Sequence, residues 1–214
     1  MTLDMTHIRS EERLKILRDL ALIDGPQETF YDRMTILAKA ALNVEAALVS
    51  MVAREFQFFK SCVGIPPKYA KELHTHISGS FCKHVVATNE TLVVIDARTD
   101  PRVADHSAIQ ELGMISYLGM PLTLYDGKRL GSFCVYNSHP YTWNDTEIAI
   151  ARELAQLVTY EIDLKAMAAL DPAYQQQLDA AYNDLFALIA SVDPDTPQVQ
   201  FLDRLRAARE RFNV

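Results

Sequence analysis

The stretch ISYLGMPLTLYDGKRLGSFCVYN, residues 115–137, gives the strongest indication of the fold class of this chain. Two apolar runs flank Asp126-Gly127, and an Asp-Gly pair in this position is typical of a tight β-hairpin turn. Apolar residues fall on both faces of each run, so helices or loops are expected to cover both sides of the sheet that contains the hairpin. The pattern therefore predicts an α+β protein built around this hairpin.

Strand patterns also lie upstream of the hairpin. Three stretches are predicted as strands: EAALVSMVA (45–53), FQFFKSCVG (56–64) and TLVVIDA (91–97). The first two are joined by a tight turn near Arg54-Glu55. The segment GIPPKYAKELHTHISG is predicted as a loop, and it leads to SFCKHVV, where a short helix is expected from Ser80 to Thr88.

Helical periods fill most of the remaining chain. Ile8, Leu14, Leu17 and Ala21 form one apolar stripe over residues 8–23. The other predicted helices cover 27–42, 101–112 with Asp100 as the N-cap, 144–167, 173–191 and 198–212. Asn144 and Glu147 have the spacing of a capping box.

Composition excludes several classes of function. The chain has 214 residues, 49% hydrophobic residues and a net charge of −7, as in an ordinary soluble globular protein. Without a cluster of Lys and Arg, nucleic acid is not expected as a partner. No apolar run approaches the roughly 20 residues that span a bilayer, and the N-terminus is polar, so no membrane association is expected. Three cysteines, an odd number, point to a reducing cytoplasm rather than a disulfide scaffold.

Several motifs together resemble the GAF domain, a small-ligand sensor module of bacterial signalling proteins. They are FFKSCVG (58–64), SFCKHVV (80–86), LVVIDARTDPRV (92–103), YLGMPL (117–122) and GKRLGSFCVYN (127–137). The resemblance covers about residues 15–165. It implies an antiparallel sheet of about six strands with the first and last long helices on one face, and short helices and loops over a ligand pocket on the other. We therefore predict a GAF domain over 1–168 and a C-terminal helical extension over 169–214.

The resemblance also implies which residues line the pocket. The candidates are Phe58, Ser80, Phe81, Cys82, Tyr117, Ser132 and Tyr136. Aromatic walls with a few hydroxyl groups suit a small, partly polar molecule. The NKFDE-like motif of cyclic-nucleotide-binding GAF domains has no counterpart in this chain, so the identity of the ligand is left open.

The stretch SGSFCKHVV (78–86) has four interpretations. In the first, Ser80 caps a helix and Cys82 is a small apolar side chain at the pocket floor. In the second, the helix start holds a small anion. The third is a reactive Cys82 thiol, with Cys62 as partner, as in the GAF-like reductases of free methionine sulfoxide. That family places its attacking cysteine in the region that corresponds to residues 108–119, which contain none.

The fourth interpretation is a tetrapyrrole. Bilin-binding GAF domains often use a Cys-His pair on a later helix, but residues 101–112 contain His106 and no cysteine. Haem needs only one axial histidine, so haem and bilin stay open as alternatives while no cofactor is predicted.

No residue is assigned to catalysis or to a metal. His74 and His76 are two residues apart in a predicted loop, which is a weak metal signal. Asp96 and Asp100 have structural roles available, at a strand end and at a helix N-cap. Phosphate-loop, nucleophile-elbow and H-E-x-x-H motifs do not occur. The leading prediction is a non-enzymatic cytoplasmic sensor, and a thiol-dependent redox protein is the alternative.

Two features bear on partners. The apolar stripe over 146–167 is wide, and the first helix has a matching one, so we predict a homodimer that passes its signal to a kinase or another regulator. The extension is too apolar for a free linker. Its apolar positions are Leu178, Tyr182, Leu185, Leu188, Ile189, Phe201, Leu202, Leu205 and Phe212. It is expected to dock on the domain, to extend the dimer or to meet a partner protein.

Overall fold

The antiparallel sheet of about six strands that the resemblance implied is confirmed by a computed structural model, which describes residues 3–171, 173–190 and 196–212. The strands run in the order β3-β2-β1-β6-β5-β4, so β1 and β6 lie at the centre. Their bounds are β1 Ala46–Val52, β2 Phe56–Val63, β3 His74–His76, β4 Leu92–Val94, β5 Ser116–Thr123 and β6 Arg129–Asn137. The hairpin predicted over residues 115–137 forms β5 and β6. Gly127 adopts a φ of 85° in its turn, a value that favours glycine.

Helices cover both faces of the sheet. Their bounds are α1 Glu11–Asp19, α2 Thr29–Leu42, α3 Pro67–Glu72, α4 Cys82–Thr88, α5 Ala108–Glu111, α6 Asp145–Leu170, α7 Ala173–Ala190 and α8 Gln198–Phe212. The long helices α2 and α6 pack on one face, which we call the helix face. The other face, which we call the roof face, lies under α4, α5 and the loops beside them. This two-faced arrangement confirms the expected fold class.

The first helix is shorter than predicted. Ser10 accepts a hydrogen bond from the Arg13 backbone N–H, which starts α1 at residue 11. The helix ends at Asp19, and Ala21 beyond it has a φ of 50°. Ile8 therefore lies outside the helix and packs on the roof face, away from Leu14 and Leu17.

Two other segments also differ from the prediction. The stretch 64–79, predicted as a loop, contains α3 and the edge strand β3, because Pro66 and Pro67 start a helical turn and His74–His76 pairs with β2. The helix predicted over 101–112 is reduced to α5. The Asp100 side chain accepts from the Arg102 N–H at 3.0 Å, which closes a turn that does not continue as a helix.

The capping box at the start of α6 is confirmed, with the Asn144 side chain and the Glu147 side chain each accepting the other's backbone N–H. This helix continues to Leu170, across the limit that we predicted at residue 168. Among the described residues, no helix combines the length and the apolar character needed to cross a membrane.

The C-terminal extension packs on the helix face. The Tyr182 hydroxyl of α7 donates to Glu161 of α6 at 2.7 Å. From α8, Phe201, Leu202 and Leu205 are buried in the same core cluster as α6. Of the three arrangements expected for the extension, the described structure shows docking on the domain. The predicted positions whose side chains lie outside the described residues are Leu178, Leu185, Leu188, Ile189 and Phe212.

Candidate functional site

Six of the seven predicted site residues gather on the roof face. Tyr117 lies at the centre of this group, where its hydroxyl donates to Cys82 Sγ at 3.4 Å and lies 3.3 Å from Ser132 Oγ. The Phe81 ring packs edge-on against Tyr117, with 5.4 Å between ring centroids. The residues brought together are Ser80, Phe81, Cys82, Tyr117, Ser132 and Tyr136, and all of them are buried.

Phe58, the seventh candidate, lies on the helix face instead. Residues along a strand alternate between faces, so counting back from Cys62 places Phe58 on the roof face. The structure has an irregularity in this strand pair: Val49 pairs with Ser61, whereas Ser50 pairs with Phe59. Lys60 is therefore an extra residue in β2, and such a bulge reverses the alternation beyond it.

Lys60 explains why the bulge is stable. Its side chain is fully buried on the helix face, where the ammonium group contacts Glu28 at 2.6 Å and the carbonyl oxygens of Ala21 and Pro26 at 2.8 and 2.9 Å. A buried charge needs such partners. As a consequence Phe59, and not Phe58, faces the predicted site.

A second set of buried polar side chains adjoins Tyr117, and the sequence did not reveal it. Gln57 accepts hydrogen bonds from the Ser80 and Ser50 hydroxyls, the latter at 3.4 Å, and its amide donates to Thr75 at 2.8 Å. Ser80 also accepts from the Lys83 N–H in the first turn of α4 at 3.2 Å, but the N-cap residue is Phe81 and not Ser80 as predicted. We call Ser50, Gln57, Thr75, Ser80, Cys82, Tyr117, Ser132 and Cys134 the roof cluster.

Gly119 makes the position of Tyr117 possible. The two residues share the roof face of β5, and the Tyr117 ring lies across the glycine. A Cβ atom at residue 119 would stand 2.3 Å from the Tyr117 hydroxyl oxygen, which no packing tolerates. A side chain at this position would push the phenol away from Cys82 and Ser132.

The thiol of Cys82 has an unusual environment. The hydrogen bond from the Cys134 thiol, followed by those from Tyr117 and neighbouring hydroxyls, outweighs burial and lowers the pKa of Cys82 to about 7. The Cys134 sulfur lies 3.8 Å from the Cys82 sulfur. Conversely, burial and the nearby sulfurs raise the pKa of Tyr117 well above its usual value, so the phenol is a hydrogen-bond donor.

Cys62, the partner that we predicted for Cys82, is placed elsewhere. Leu48 on β1 pairs with Cys62 on one side and with Cys134 on the other. Cys62 is therefore two strands away from Cys134, about 10 Å across the sheet. Burial and the Asp32 carboxylate raise the pKa of Cys62 to about 11, so this thiol keeps its proton at neutral pH. The thiol pair in this structure is Cys82 and Cys134.

Two histidines meet above the roof cluster. His84 Nε2 and His106 Nε2 are 3.0 Å apart, and the His106 ring contacts Phe81 edge-on at 5.6 Å. A cavity of about 550 Å³ opens beside His106 and is lined by residues 104–107, Arg98, Ile109 and Gln110. Burial, together with the positive charge of Lys83, lowers the pKa of each histidine to about 4.

This histidine pair predicts an acid-sensitive stability. In the unfolded chain both rings take up a proton below about pH 6.5, whereas in the folded chain they stay neutral until about pH 4. The unfolded state binds more protons between these values, so the free energy of unfolding falls as the pH is lowered through this window. We expect urea unfolding of His106→Gln to show a smaller decrease in the free energy of unfolding per pH unit across this window than the wild type shows. His7→Gln, in an exposed turn, is the control and keeps the wild-type slope.

Comparisons with known proteins agree with this geometry. The GAF domain family model matches residues 26–162. A cyclic di-GMP phosphodiesterase of Pseudomonas aeruginosa is 26% identical over 145 residues, which are 67% of this chain and 24% of that protein. The chain thus spans about a quarter of the length of this relative.

Two solved structures show the same fold. The GAF domain of a phosphoenolpyruvate-protein phosphotransferase from Coxiella burnetii superposes with a TM-score of 0.55 at 19% identity, covering 75% of this chain and 96% of that one. The blue-light absorbing form of the PixJ GAF domain from Thermosynechococcus elongatus gives 0.53 at 15% identity, covering 77% and 96%. Because the family model matches more than half of the chain, the chain belongs to the GAF domain family.

Proposed function

We propose that this chain is a non-enzymatic cytoplasmic sensor module that binds a small, partly polar molecule at the roof cluster. The observation that carries the proposal is a patch of buried polar side chains on a sheet face that is otherwise apolar. Ser50, Ser80, Ser132 and Tyr117 are fully buried there. Such groups do not stabilise a hydrophobic core, because burying a polar group costs free energy unless it finds a hydrogen-bond partner.

The roof cluster suits a ligand with both apolar and polar parts. Phe81 and Tyr117 provide aromatic surface, and the hydroxyl groups with the Gln57 amide provide donors and acceptors in fixed positions. In the described structure these groups bond to one another. A bound molecule would take over these hydrogen bonds when α4 moves away from the sheet, and the movement of α4 would then report binding.

The cavity beside His106 is the proposed way in. Its wall, His106, contacts Phe81, and Phe81 in turn contacts Tyr117. Two aromatic rings therefore separate the cavity from the roof cluster. Rotation of the His106 and Phe81 side chains would join the two spaces without disturbing the sheet.

The output is proposed to pass to a partner protein such as a kinase or another regulator. Support comes from two relatives: this chain matches 24% of the length of the cyclic di-GMP phosphodiesterase, and the Coxiella burnetii structure is a GAF domain from a phosphoenolpyruvate-protein phosphotransferase. The homodimer predicted from the stripe on α6 has less support, because α8 covers part of that helix within the same chain. Self-association through α6 would require α8 to move.

Native and denatured mass spectra of the purified protein test the ligand proposal. We expect a mass excess in the native spectrum that disappears on denaturation, after incubation with the small-molecule fraction of a bacterial extract. Tyr117→Phe removes the central hydroxyl and should retain less of this mass. Tyr31→Phe is the matched control, because Tyr31 is equally buried but lies on the helix face, where its hydroxyl donates to Glu161.

Other outcomes would count against the proposal. A bare chain after the same incubation contradicts a ligand at the roof cluster. Equal retention by both variants places the ligand elsewhere. An excess that survives denaturation indicates a covalent group and favours the bilin alternative, while a released group with a haem absorbance spectrum favours haem.

A further inference from the structure

Two thiols meet between the roof and the centre of the sheet. Cys82 is the first residue of α4, Cys134 lies in the central strand β6, and their sulfur atoms are 3.8 Å apart. Both thiols are free and almost fully buried, at 3% and 2% exposure. We propose that Cys82 and Cys134 are a peroxide-sensing dithiol that closes to a reversible disulfide. The proposal depends on these two sulfurs and is independent of the ligand proposed above.

The geometry permits the bond. A disulfide needs the sulfurs at about 2.0 Å, so they must approach by nearly 2 Å. Cys82 begins a short helix that follows a loop, whereas Cys134 is held by strands on both sides. The approach therefore requires movement of α4 toward the sheet and rotation of the two side chains, and it leaves the β6 backbone in place.

The surroundings give the two sulfurs different roles. The hydrogen bonds from Cys134 and from the Tyr117 hydroxyl lower the pKa of Cys82 and favour its thiolate form. The pKa of Cys134 is raised, first by its hydrogen bond to Cys82 and then by burial, so this thiol keeps its proton. Cys82 is thus the attacking thiol and Cys134 the resolving one.

The reaction balances with one molecule of hydrogen peroxide. The Cys82 sulfur attacks a peroxide oxygen, an S–O bond forms, the O–O bond breaks, and the departing hydroxide takes up the thiol proton as water. Cys134 then attacks the sulfur of the sulfenic acid. The S–S bond forms, the S–O bond breaks, and hydroxide leaves with the Cys134 proton as a second water. The two thiols lose two electrons, and these reduce the peroxide.

The burial of Cys82 and Cys134 restricts which oxidants can reach them. A bulky disulfide such as oxidised glutathione must place a sulfur in line with the attacking thiolate, and the closed roof leaves no space for it. Hydrogen peroxide is small and uncharged. It has to pass the rings of His106 and Phe81, which lie between the cavity and the Cys82 region. We therefore expect peroxide to oxidise the pair and oxidised glutathione to leave it unchanged.

The test uses the wild-type chain. After treatment with hydrogen peroxide, the denatured protein should lose about 2 Da, and a non-reducing peptide map should join the Cys82 and Cys134 peptides. Dithiothreitol should restore the original mass. An unchanged mass, a cross-link that involves Cys62, or equally fast oxidation by oxidised glutathione would overturn the proposal.

Variants assign the order of events. Cys62→Ala should still lose about 2 Da, because Cys62 is not part of the pair. Cys134→Ala removes the resolving thiol, so Cys82 should stop as a sulfenic acid that dimedone labels. Cys82→Ala should give neither product. Dimedone labelling of Cys134 in the Cys82→Ala variant would reverse the assigned roles, and the wild-type peptide map decides the disulfide even where a variant fails to fold.

Discussion

Replacing Arg13 by methionine is expected to lower the free energy of unfolding by about 3 to 5 kcal/mol, because each buried acceptor left without a donor costs about 1 to 3 kcal/mol. The Arg13 side chain is 3% exposed, at the place where α1 meets the ends of β1 and β6. Its guanidinium group donates to the carbonyl oxygens of Ile8 and Leu130, each at 3.1 Å, and also to those of Val52 and Arg129. Methionine keeps the apolar contacts but leaves these buried acceptors without donors.

Urea unfolding compares the variant with two others. Arg13→Lys keeps the charge but cannot reach several carbonyls at once, so an intermediate loss is expected. Arg18→Met alters an exposed arginine of the same helix and should change the free energy of unfolding by less than about 0.5 kcal/mol. A loss below about 1 kcal/mol for Arg13→Met would show that water replaces the guanidinium group at little cost.

Leu205→Asp is expected to release α8 from α6. Leu205 is fully buried in the core cluster shared by the two helices. Burying a carboxylate there, while losing the leucine, costs about 3 to 5 kcal/mol. A single docked helix cannot compensate for this, so α8 should detach and expose the apolar side of α6. At equal concentration the variant is then expected to self-associate more strongly than the wild type.

Limited proteolysis and sedimentation measure the two effects. Val199→Asp is the matched control, because Val199 lies on α8 but is 61% exposed. It should leave both the protease pattern and the molecular mass unchanged. If α8 of Leu205→Asp resists cleavage, its docking is stronger than the buried area suggests. If the variant is cleaved but stays monomeric, α6 is not a dimerisation surface, and the predicted homodimer is wrong.

Local patterns predicted much of the fold. The hairpin turn at Asp126-Gly127 and the capping box at Asn144 each depend on residues within a few positions of one another. Six site residues were placed on the correct face because strand alternation and the start of α4 are local signals as well. Their role in binding remains a proposal, while their common location is a feature of the structure.

The failures come from contacts between distant residues. Phe58 was assigned to the wrong face because the bulge at Lys60 depends on Glu28 and on two carbonyl oxygens outside β2. Gln57 was missed as a member of the roof cluster because nothing beside it in β2 indicates that Ser80 would meet it. Docking of the extension on the domain was one of three expected arrangements, because an apolar helix face does not indicate which surface it packs against.

Alternation, helical period and turn residues within short windows were enough to predict the α+β class. The sheet of about six strands followed from the resemblance of several motifs to the GAF domain. Which side chains meet depends on tertiary packing. Cys82 and Cys134 are 52 positions apart, and His84 and His106 are 22 positions apart. Each pair forms because α4 packs across the roof face of the sheet. The position of α4 depends on the packing of all the roof residues together, which no local stretch of sequence encodes.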